Sequence, residues 1–475
     1  MRVAILSAEA VPYSKTGGLG DVAGALPKAL KSQGADAFLI TPCYWQTKGD
    51  LLSSRAANNL EVEWRGGVEQ CGAFYSEASG APTFLIDSPR FFHRDSIYGY
   101  LEDYERFAFF SAAALALLKR LGAPPDIVHL NDWHTGFAAV EVANRRRSDG
   151  FFSNVHTVFS IHNLAYQGVF DSGELWKLGF GEEWQTNAFL AGGAANAMKA
   201  GLTTADYLST VSRRYSYETQ TPEQGYGLDW LLRERRNRYY GITNGVDYEE
   251  WNPATDKYTA AHFDANHLEA KRMCKHDLLR TFGLPQDLDR PVFGWVSRLT
   301  AQKGFDLLKT VAFEIVMSGA YIVALGSGES EYENFLQALR DYAPYQVGVY
   351  KGYSEPLAHK IEAGADMFLM PSQFEPCGLN QMYSLRYGTV PIVRATGGLD
   401  DTVQEFDRAS GTGNGFKFQN YSAHEFLDKI YEALYAYAEP KGWRKIQQNG
   451  MRVNNSWESA AYNYLQLYRI AAAGG

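Results

Sequence analysis

Short apolar runs recur along the whole chain, separated by stretches in which apolar and polar residues follow helical spacing. Runs this short and this apolar are typical of strands buried on both faces of a parallel sheet. The predicted strands of the first half are Val3–Leu6, Phe38–Ile40, Thr83–Ile86, Ile127–Leu130, Thr157–Ile161 and Tyr207–Val211. Those of the second half are Val292–Val296, Tyr321–Leu325, Tyr345–Tyr350, Met367–Met370 and Pro391–Val393.

Amphipathic stretches such as Leu307–Ser318 and Pro356–Ala363 lie between these runs and predict helices. Strands that alternate with helices indicate βαβ units, so we expect an α/β protein with doubly wound parallel sheets. The alternation lapses between about residues 240 and 290, where turn residues gather, and it resumes at Pro291. The lapse predicts two Rossmann-like domains that face each other across a cleft.

We expect the first domain to comprise residues 1–243 and the second to comprise residues 244–456. A chain of 475 residues is in any case long for one core. The last helical stretch, Trp457–Ala472 within the C-terminal segment 457–475, belongs to no βαβ unit. By analogy with other two-domain proteins of this architecture, we expect it to cross back to the first domain.

The overall charge excludes several classes of partner. The net charge is −9, whereas nucleic acids and anionic membranes bind clustered Lys and Arg. The few basic runs, such as Arg145–Arg147, are interpreted as solvated helix faces. We therefore expect no nucleic-acid and no membrane partner.

Cysteine use and hydropathy favour a soluble protein of a reducing compartment. The four cysteines are far apart in sequence and show no Cys-x-x-Cys spacing, which predicts neither disulfides nor a zinc site. The apolar run Val3–Leu6 is too short for a signal peptide, and no apolar stretch approaches the length of a membrane span. We expect a cytoplasmic protein.

A glycine-rich loop follows the first predicted strand, with the sequence Lys15-Thr-Gly-Gly-Leu-Gly-Asp21. Adjacent glycines let the backbone approach a ligand, and the helix expected to begin near Asp21 would present N–H groups to an anion. Lys15 adds a full positive charge. The loop suits a diphosphate, although an ordinary strand-to-helix turn would look similar. Strict Gly-x-Gly-x-x-Gly is absent, so a nicotinamide or flavin site is not indicated.

Two further motifs follow strands of the second half. Arg298 and Lys303 flank a loop after Val292–Val296, where a guanidinium and an ammonium can hold phosphate oxygens. Glu375 follows Met367–Met370 and precedes a helix, next to Cys377. The structural alternatives are salt-bridging surface charges for the first motif and a carboxylate that complements a helix dipole for the second.

Polar residues also follow two predicted strands of the first half, in His129-Leu-Asn-Asp-Trp-His134 and Ile161-His-Asn-Leu-Ala-Tyr-Gln-Gly168. Because the carboxyl ends of parallel strands share one edge of a sheet, Asp132 and His162 should lie on the same edge as the Lys15 loop. Such side chains can bond sugar hydroxyls, although a single histidine is more often structural. The Thr16-Gly-Gly-Leu segment is similar to Thr396-Gly-Gly-Leu, which either supports two similar domains or is a coincidence of turn chemistry.

These motifs, in this order, resemble the starch and glycogen synthase family over about residues 1–460. The resemblance is carried by Lys15-Thr-Gly-Gly-Leu, Asn131-Asp-Trp-His134, His162-Asn-Leu-Ala-Tyr-Gln-Gly168, Thr243-Asn-Gly-Val-Asp247, Arg298 with Lys303-Gly304, and Phe374-Glu-Pro-Cys-Gly-Leu379. Residues 59–80 carry none of it. The resemblance implies the two-Rossmann GT-B fold and transfer of glucose from ADP-glucose to the non-reducing end of an α-1,4-glucan. It further implies retention of configuration, with no metal and no cofactor.

The resemblance also implies roles for individual residues. The catalytic group would be Glu375, Lys303, Arg298 and His162. The donor would be bound by Lys15, Gly18, Asp21, Asn244, Tyr353, Cys377, Gly378 and Leu379, with Tyr353 stacked on the nucleobase. Asp132 and Tyr98 would lie on the acceptor side.

One difference from the wider group of retaining GT-B enzymes favours starch and glycogen synthases within that group. Many of those enzymes carry a second Glu eight positions after the first, where this chain has Tyr383, and starch and glycogen synthases usually lack that Glu. The motif Asp287-Leu-Asp289 is interpreted as solvated turn chemistry because it lies outside any strand end. Alternative functions are a UDP-sugar transferase of the same fold and a non-catalytic glucan-binding protein.

Overall fold

The computed structural model describes residues 1–474, which form two compact units. The first unit contains residues 1–245 together with the C-terminal segment from residue 457 onward. The second contains Val246–Ser456. Both are α/β units of the Rossmann type, as the alternation of strands and helices predicts.

The first unit is built on a nine-stranded sheet with the order β12-β11-β7-β6-β1-β2-β5-β4-β3. A small sheet of order β8-β10-β9 accompanies it. The strands are β1 (Arg2–Leu6), β2 (Asp36–Pro42), β3 (Ser54–Trp64), β4 (Gly67–Ser76), β5 (Thr83–Asp87), β6 (Ile127–Asn131), β7 (His156–Ile161), β8 (Val169–Phe170), β9 (Leu190–Ala191), β10 (Ala194–Asn196), β11 (Tyr207–Thr210) and β12 (Tyr239–Gly241).

The first unit contains nine helices before the chain enters the second unit. They are α1 (Gly18–Ser32), α2 (Pro89–Phe92), α3 (Asp103–Arg120), α4 (Gly136–Arg145), α5 (Glu174–Lys177), α6 (Glu183–Phe189), α7 (Ala197–Thr204), α8 (Arg213–Glu218) and α9 (Asp229–Glu234). Strand β1 shows how the sheet is buried: Ala4 and Leu6 join one core, and Val3 and Ile5 join the core on the opposite face. This explains why the strand is apolar without interruption.

The hairpin β3–β4 is a feature that the apolar runs do not predict. It pairs antiparallel with β5 at the edge of an otherwise parallel sheet. A local signal exists, since buried Leu60, Val62 and Trp64 alternate with exposed glutamates. The turn at Arg65 and Gly66 has positive φ at both residues, as two-residue hairpins require.

The second unit contains a six-stranded, fully parallel sheet of order β15-β14-β13-β16-β17-β18. Its strands are β13 (Val292–Val296), β14 (Tyr321–Gly326), β15 (Val347–Lys351), β16 (Met367–Met370), β17 (Val390–Arg394) and β18 (Phe416–Phe418). Its helices are α10 (Lys271–Thr281), α11 (Phe305–Met317), α12 (Ser330–Tyr342), α13 (Glu355–Gly364), α14 (Asn380–Arg386), α15 (Gly397–Thr402), α16 (Ala423–Tyr437) and α17 (Pro440–Met451).

The last helix, α18 (Trp457–Ala472), packs on the first unit, as expected by analogy. Its buried side chains recur every three or four residues and join the core that contains α1. Gly245 permits the contact at the start of α18, because a Cβ there would lie 2.4 Å from the Cα of Trp457.

The cysteines and the apolar character of the helices bear on two predictions from the sequence. The four cysteines all lie among the described residues, where they are buried and form no disulfide, and burial raises the pKa of Cys43 and Cys71 to about 12. Among the described helices, none combines the length and the apolar character that a membrane crossing needs.

Candidate functional site

The first unit gathers its predicted site residues at one edge of the sheet. Strands β1, β6 and β7 are parallel neighbours, with β6 in the middle. The glycine loop, Asp132 and His162 follow the carboxyl ends of these three strands. Parallel pairing therefore brings together segments that are more than a hundred residues apart, at the edge where α/β sheets bind ligands.

The glycine loop leads directly into α1, which begins at Gly18 rather than near Asp21. Gly17 is the N-cap residue, its backbone is extended, and no side chain caps the helix. A Cβ at either Gly17 or Gly18 would meet nothing within 4 Å, so the loop backbone faces open space. Lys15 is half exposed and its ammonium donates to the Asp21 carboxylate at 2.6 Å. The N–H groups in the first turn of α1 and the Lys15 ammonium thus lie at one loop, where they can meet an anion.

Glu9, which the sequence motifs did not single out, holds this loop in place. Its buried carboxylate accepts hydrogen bonds from the Thr16 N–H, from the Thr16 hydroxyl at 2.6 Å and from the Gly17 N–H at 3.1 Å. The Tyr98 hydroxyl donates to the same carboxylate at 2.7 Å. The only local signal is an acidic residue shortly after a buried strand. Glu9 therefore holds the glycine loop through its backbone and Thr16, and it links the loop to Tyr98.

Asp132 and His162 form a buried polar pair. Asp132 adopts a positive φ of 57°, and its carboxylate accepts the His162 N–H at 2.7 Å. Burial raises the pKa of Asp132 to about 7, although backbone hydrogen bonds from His162 and Asn163 oppose the rise. Burial also lowers the pKa of His162 to about 4, so its imidazole is neutral near pH 7 and Nε2 donates to Asn131 Oδ1 at 2.9 Å.

Tyr98 and Asn244 complete the predicted set in this unit. The Tyr98 ring stacks on His134, with centroids 4.9 Å apart. Burial lowers the pKa of His134 to about 3, which keeps that ring neutral. Asn244 lies in the segment after β12 and is 8% exposed, and its Oδ1 has no hydrogen-bond partner. A buried acceptor in this condition is costly unless a ligand hydroxyl bonds to it.

In the second unit, the two motifs after β13 and β16 come together because these strands are adjacent. The Lys303 ammonium donates to Glu375 Oε2 at 2.5 Å. Glu375 is 7% exposed, and the Ser372 hydroxyl reaches the same oxygen at 3.3 Å. Arg298 is an exposed residue of the same loop as Lys303, and its guanidinium lies 3.5 Å from Gln302 Oε1. The arrangement combines one buried carboxylate with two cations at a strand end, which suits a ligand carrying phosphate.

Two glycine contacts hold these loops together. Gly304 has a φ of 76°, and a Cβ there would lie 2.1 Å from the Pro371 carbonyl oxygen, so the Lys303 loop touches the loop after β16 backbone to backbone. A Cβ on Gly397 would lie 1.9 Å from the Glu375 carbonyl oxygen. The Gly398 N–H donates to that same oxygen at 3.2 Å. The second Thr-Gly-Gly-Leu segment therefore supports the Glu375 loop, whereas the first presents an open loop.

The remaining predicted residues lie around this carboxylate or on a neighbouring loop. Cys377 is buried, Gly378 has a φ of 73°, and Leu379 is the N-cap residue of α14. Tyr353 follows β15 and is 73% exposed. Tyr383, at the position of the missing second Glu, stacks on Trp251 with ring centroids 3.9 Å apart.

The Asp287-Leu-Asp289 motif lies before β13, away from the strand ends that carry the motifs above. Both aspartates are exposed, and Asp289 pairs with Arg272 at 2.9 Å. Its geometry is that of a solvated turn, as interpreted from the sequence.

Two family models match most of the chain. The model for the starch synthase catalytic domain matches residues 2–234, and the model for group 1 glycosyl transferases matches residues 281–450. The first match covers the unit with the glycine loop, and the second covers the unit with Lys303 and Glu375.

Relatives match over nearly the full length. The chain is 43% identical to a glycogen synthase of Clostridium beijerinckii over 476 residues, which covers 99% of both chains. It is 44% identical to a glycogen synthase of Koribacter versatilis over 484 residues, covering 99% of this chain and 98% of the relative. The catalytic domain of starch synthase IV from Arabidopsis thaliana, solved with ADP and acarbose, matches with a TM-score of 0.89 and 32% identity over 99% of both chains. The chain therefore belongs to the glycogen and starch synthase family of glycosyltransferases.

Proposed function

We propose that this glycosyltransferase moves glucose from ADP-glucose to the non-reducing 4-hydroxyl of an α-1,4-glucan, with retention of configuration. The observation that carries the proposal is the Lys303–Glu375 pair at the carboxyl edge of the second sheet, with Arg298 five residues before Lys303 on the same loop. The related starch synthase IV was solved with ADP, a nucleoside diphosphate, and with acarbose. A diphosphate leaving group is the chemistry that these two cations suit.

The proposed roles follow the charges that develop during transfer. Breaking the bond between glucose C1 and the β-phosphate oxygen leaves positive charge on the sugar ring and negative charge on the diphosphate. Lys303 and Arg298 stabilise the diphosphate, and Glu375 faces the sugar ring. One such donor is typically worth roughly 3 kcal/mol of transition-state stabilisation. The Lys303 ammonium can contact both Glu375 and the diphosphate, because it has three N–H donors and Glu375 occupies one of them.

The other roles concern binding. Lys15, Gly18 and Asp21 bind the donor through the glycine loop, and His162 and Asn244 bond to glucose hydroxyls. Tyr353 stacks on the nucleobase, and Asp132 and Tyr98 act on the acceptor side. The Glu375 loop contributes the remaining donor contacts through Cys377, Gly378 and Leu379.

Retention with a single carboxylate favours attack on the same face that the diphosphate leaves. The new bond forms between the acceptor O4 and glucose C1 as the C1–phosphate bond breaks. The proton of the acceptor hydroxyl moves to an oxygen of the departing phosphate. In this scheme Glu375 stabilises the ring charge and forms no covalent bond.

The test measures glucose incorporation into glycogen from ADP-glucose and from UDP-glucose, each with and without EDTA. We expect incorporation from ADP-glucose that EDTA does not change and that Glu375→Gln abolishes. Glu331→Gln, which alters an exposed carboxylate of α12, is the matched control. Preference for UDP-glucose would overturn the donor assignment. No incorporation from either donor by folded protein would leave a glucan-binding role.

A further inference from the structure

His359 on α13 is completely buried, yet one of its ring nitrogens has no hydrogen-bond partner. Nδ1 lies 2.7 Å from an oxygen of the Asp256 carboxylate, whereas Nε2 has no partner. An unpaired polar atom in the interior costs free energy, so its persistence points to a ligand. This nitrogen belongs to neither of the loops that carry Lys303 and Glu375.

Asp256 orients this ring. A carboxylate accepts only, so the Nδ1 proton of His359 is donated to Asp256, and the Tyr387 hydroxyl donates to the same Asp256 oxygen at 2.6 Å. Since Nδ1 is the nitrogen that faces Asp256, Nε2 is the nitrogen left to act as a metal ligand. A carboxylate that orients one nitrogen of a histidine is the usual second partner of a metal-binding imidazole. Trp251 stacks on the ring at 3.7 Å and holds its plane.

Two carboxylates lie next to His359. Glu355 is the first residue of α13, one helical turn before His359, so both side chains lie on one face of the helix. Glu250 comes from the loop before Trp251. One carboxylate oxygen from each glutamate and one His359 ring nitrogen all lie within 4.8 Å of one another. Asp256 already engages Nδ1, so Nε2 is the nitrogen available to a ligand.

We propose that Nε2 of His359 and the carboxylates of Glu355 and Glu250 form a site for a divalent transition-metal ion of the zinc type. One imidazole and two carboxylates suit such ions, and hard ions such as Mg²⁺ prefer oxygen ligands alone. Ligand atoms around tetrahedral zinc lie about 3.5 Å apart, so the two glutamate side chains must rotate toward His359 when an ion binds. Glu250 is exposed and Glu355 is partly exposed, which leaves a path from solvent.

Lys257 is the competing cation at this position. Its charge interacts with both Glu355 and Glu250, and its ammonium lies 4.8 Å above the Tyr258 ring. The Tyr258 hydroxyl lies 3.5 Å from Glu355 Oε1. Lys257 is fully exposed, so a bound ion can displace it toward water without burying a charge. The metal site uses none of the residues proposed for glucosyl transfer, and it goes beyond that function.

The experiment titrates the full-length protein with Co²⁺ alone, read by its visible absorption, and with Zn²⁺ alone, read by calorimetry. We expect one equivalent to bind, with an absorption spectrum of nitrogen and oxygen ligands and without the thiolate band that cysteine ligation would produce. Glu355→Gln and Glu250→Gln keep side-chain shape but remove charge, and each should weaken binding at least tenfold, roughly as changes around metal sites do. The control His267→Gln removes an exposed imidazole that lies 3.1 Å from Asp264, and binding should not change.

Three results would overturn the site: no binding by the native chain, binding unaffected by both glutamine variants, or a thiolate spectrum. Because His359 is buried, His359→Gln is interpreted only together with circular dichroism that shows a native fold. The glutamine variants do not depend on that control, because their positions are open to solvent. The readout is metal binding rather than activity, so its failure is distinct from failure of the transferase proposal.

Discussion

At the scale of single residues, Glu375 is a carboxylate that the fold removes almost completely from water while keeping one cation beside it. A buried charge of this kind is tolerated only when it is paired and hydrogen-bonded. Lys303 pairs with the Glu375 carboxylate, and the Ser372 hydroxyl donates to it. Replacing Lys303 would leave the buried Glu375 charge unpaired, so it would destabilise the unit as well as change the proposed chemistry. Arg298 is exposed and allows the catalytic contribution to be measured by itself.

Arg298→Ala should lower kcat about 100-fold while leaving the thermal unfolding midpoint unchanged, because an exposed guanidinium contributes little to folding but stabilises the leaving diphosphate. The measurement is initial-rate kinetics alongside thermal unfolding. Arg340→Ala, which removes an exposed arginine from α12, is the control and should retain full activity. A folded Arg298→Ala variant with native kcat would rule out the assignment.

Glu9→Gln should loosen the glycine loop, because an amide replaces a carboxylate that accepts four hydrogen bonds from Thr16, Gly17 and Tyr98. Loss of one charge-assisted bond, worth roughly 1.5 kcal/mol, predicts a fall of about tenfold in kcat/KM for the sugar nucleotide. Donor-dependence curves measure this. The control Glu77→Gln changes an exposed carboxylate that also accepts from a tyrosine, Tyr75, and should be silent. Equal effects of the two changes would contradict a positioning role for Glu9.

Asp132 should make stability depend on pH in an unusual direction. Its pKa is raised by burial from 3.8 to about 7, so the folded state keeps a proton that the unfolded chain releases. The contribution of Asp132 to the free energy of unfolding therefore falls as the pH rises from 3.8 to about 7. Asp132→Asn should gain stability over the native chain, and the gain should grow by about 2 kcal/mol from pH 5 to pH 7. Urea unfolding at the two pH values measures the gain, and a constant difference would contradict the raised pKa.

At the scale of elements, close backbone approaches decide where the reactive loops lie. Parallel pairing of β13 with β16 brings two loops to one edge, but Gly304 determines that they touch. The sequence shows that these glycines are present. It does not show which carbonyl each one faces, because that depends on segments dozens of residues away.

Gly304→Ala should destabilise the second unit and abolish activity, since the new methyl group would meet the Pro371 carbonyl at 2.1 Å. Gly283→Ala is the matched control, because Gly283 also has a positive φ, 68°, but a Cβ there would meet nothing within 4 Å. The control should cost only the conformational strain, about 1–2 kcal/mol. Chemical unfolding and transfer assays measure both variants. Equal losses of stability would show that φ alone, and not the contact, requires glycine at Gly304.

At the scale of the whole molecule, the end of the chain completes the core at its beginning. Helix α18 places Trp457, Tyr464 and Tyr468 in the core shared with α1, and the Tyr468 hydroxyl bonds to His129 Nδ1 at 2.8 Å. Each large apolar side chain contributes roughly 1.5–3 kcal/mol when buried. Several such side chains together rival the net stability of a domain, about 5–15 kcal/mol.

Deletion from Trp457 onward should therefore unfold the first unit while the second unit, Val246–Ser456, stays folded. Limited proteolysis should degrade the first unit and leave a fragment of the second. The control deletion removes residues 473–475, which follow α18, and should have no effect. A deletion variant with a protease-resistant first unit would show that α18 is dispensable for its core.

Signals that are local in sequence were sufficient for the fold class. Strands buried on both faces must be apolar at successive positions, so each of the eleven predicted runs overlaps a strand. Helix α18 spans residues 457–472, as predicted. The hairpin β3–β4 was missed because its alternating pattern and its two-residue turn differ from those runs. The motifs also located Lys303 and Glu375 at strand ends, from their position after apolar runs.

Contacts between distant segments were decided only by the tertiary structure. Glu9 beneath the glycine loop, Gly397 against Glu375, and Asp256 bonded to His359 across 103 residues leave no mark in a local pattern. Strand order selects which loops become neighbours, and a sequence pattern records the burial of each strand but not the identity of the strand beside it. The sequence by itself thus determined the elements and the chemical groups available, and the packing of the sheets determined which of those groups meet.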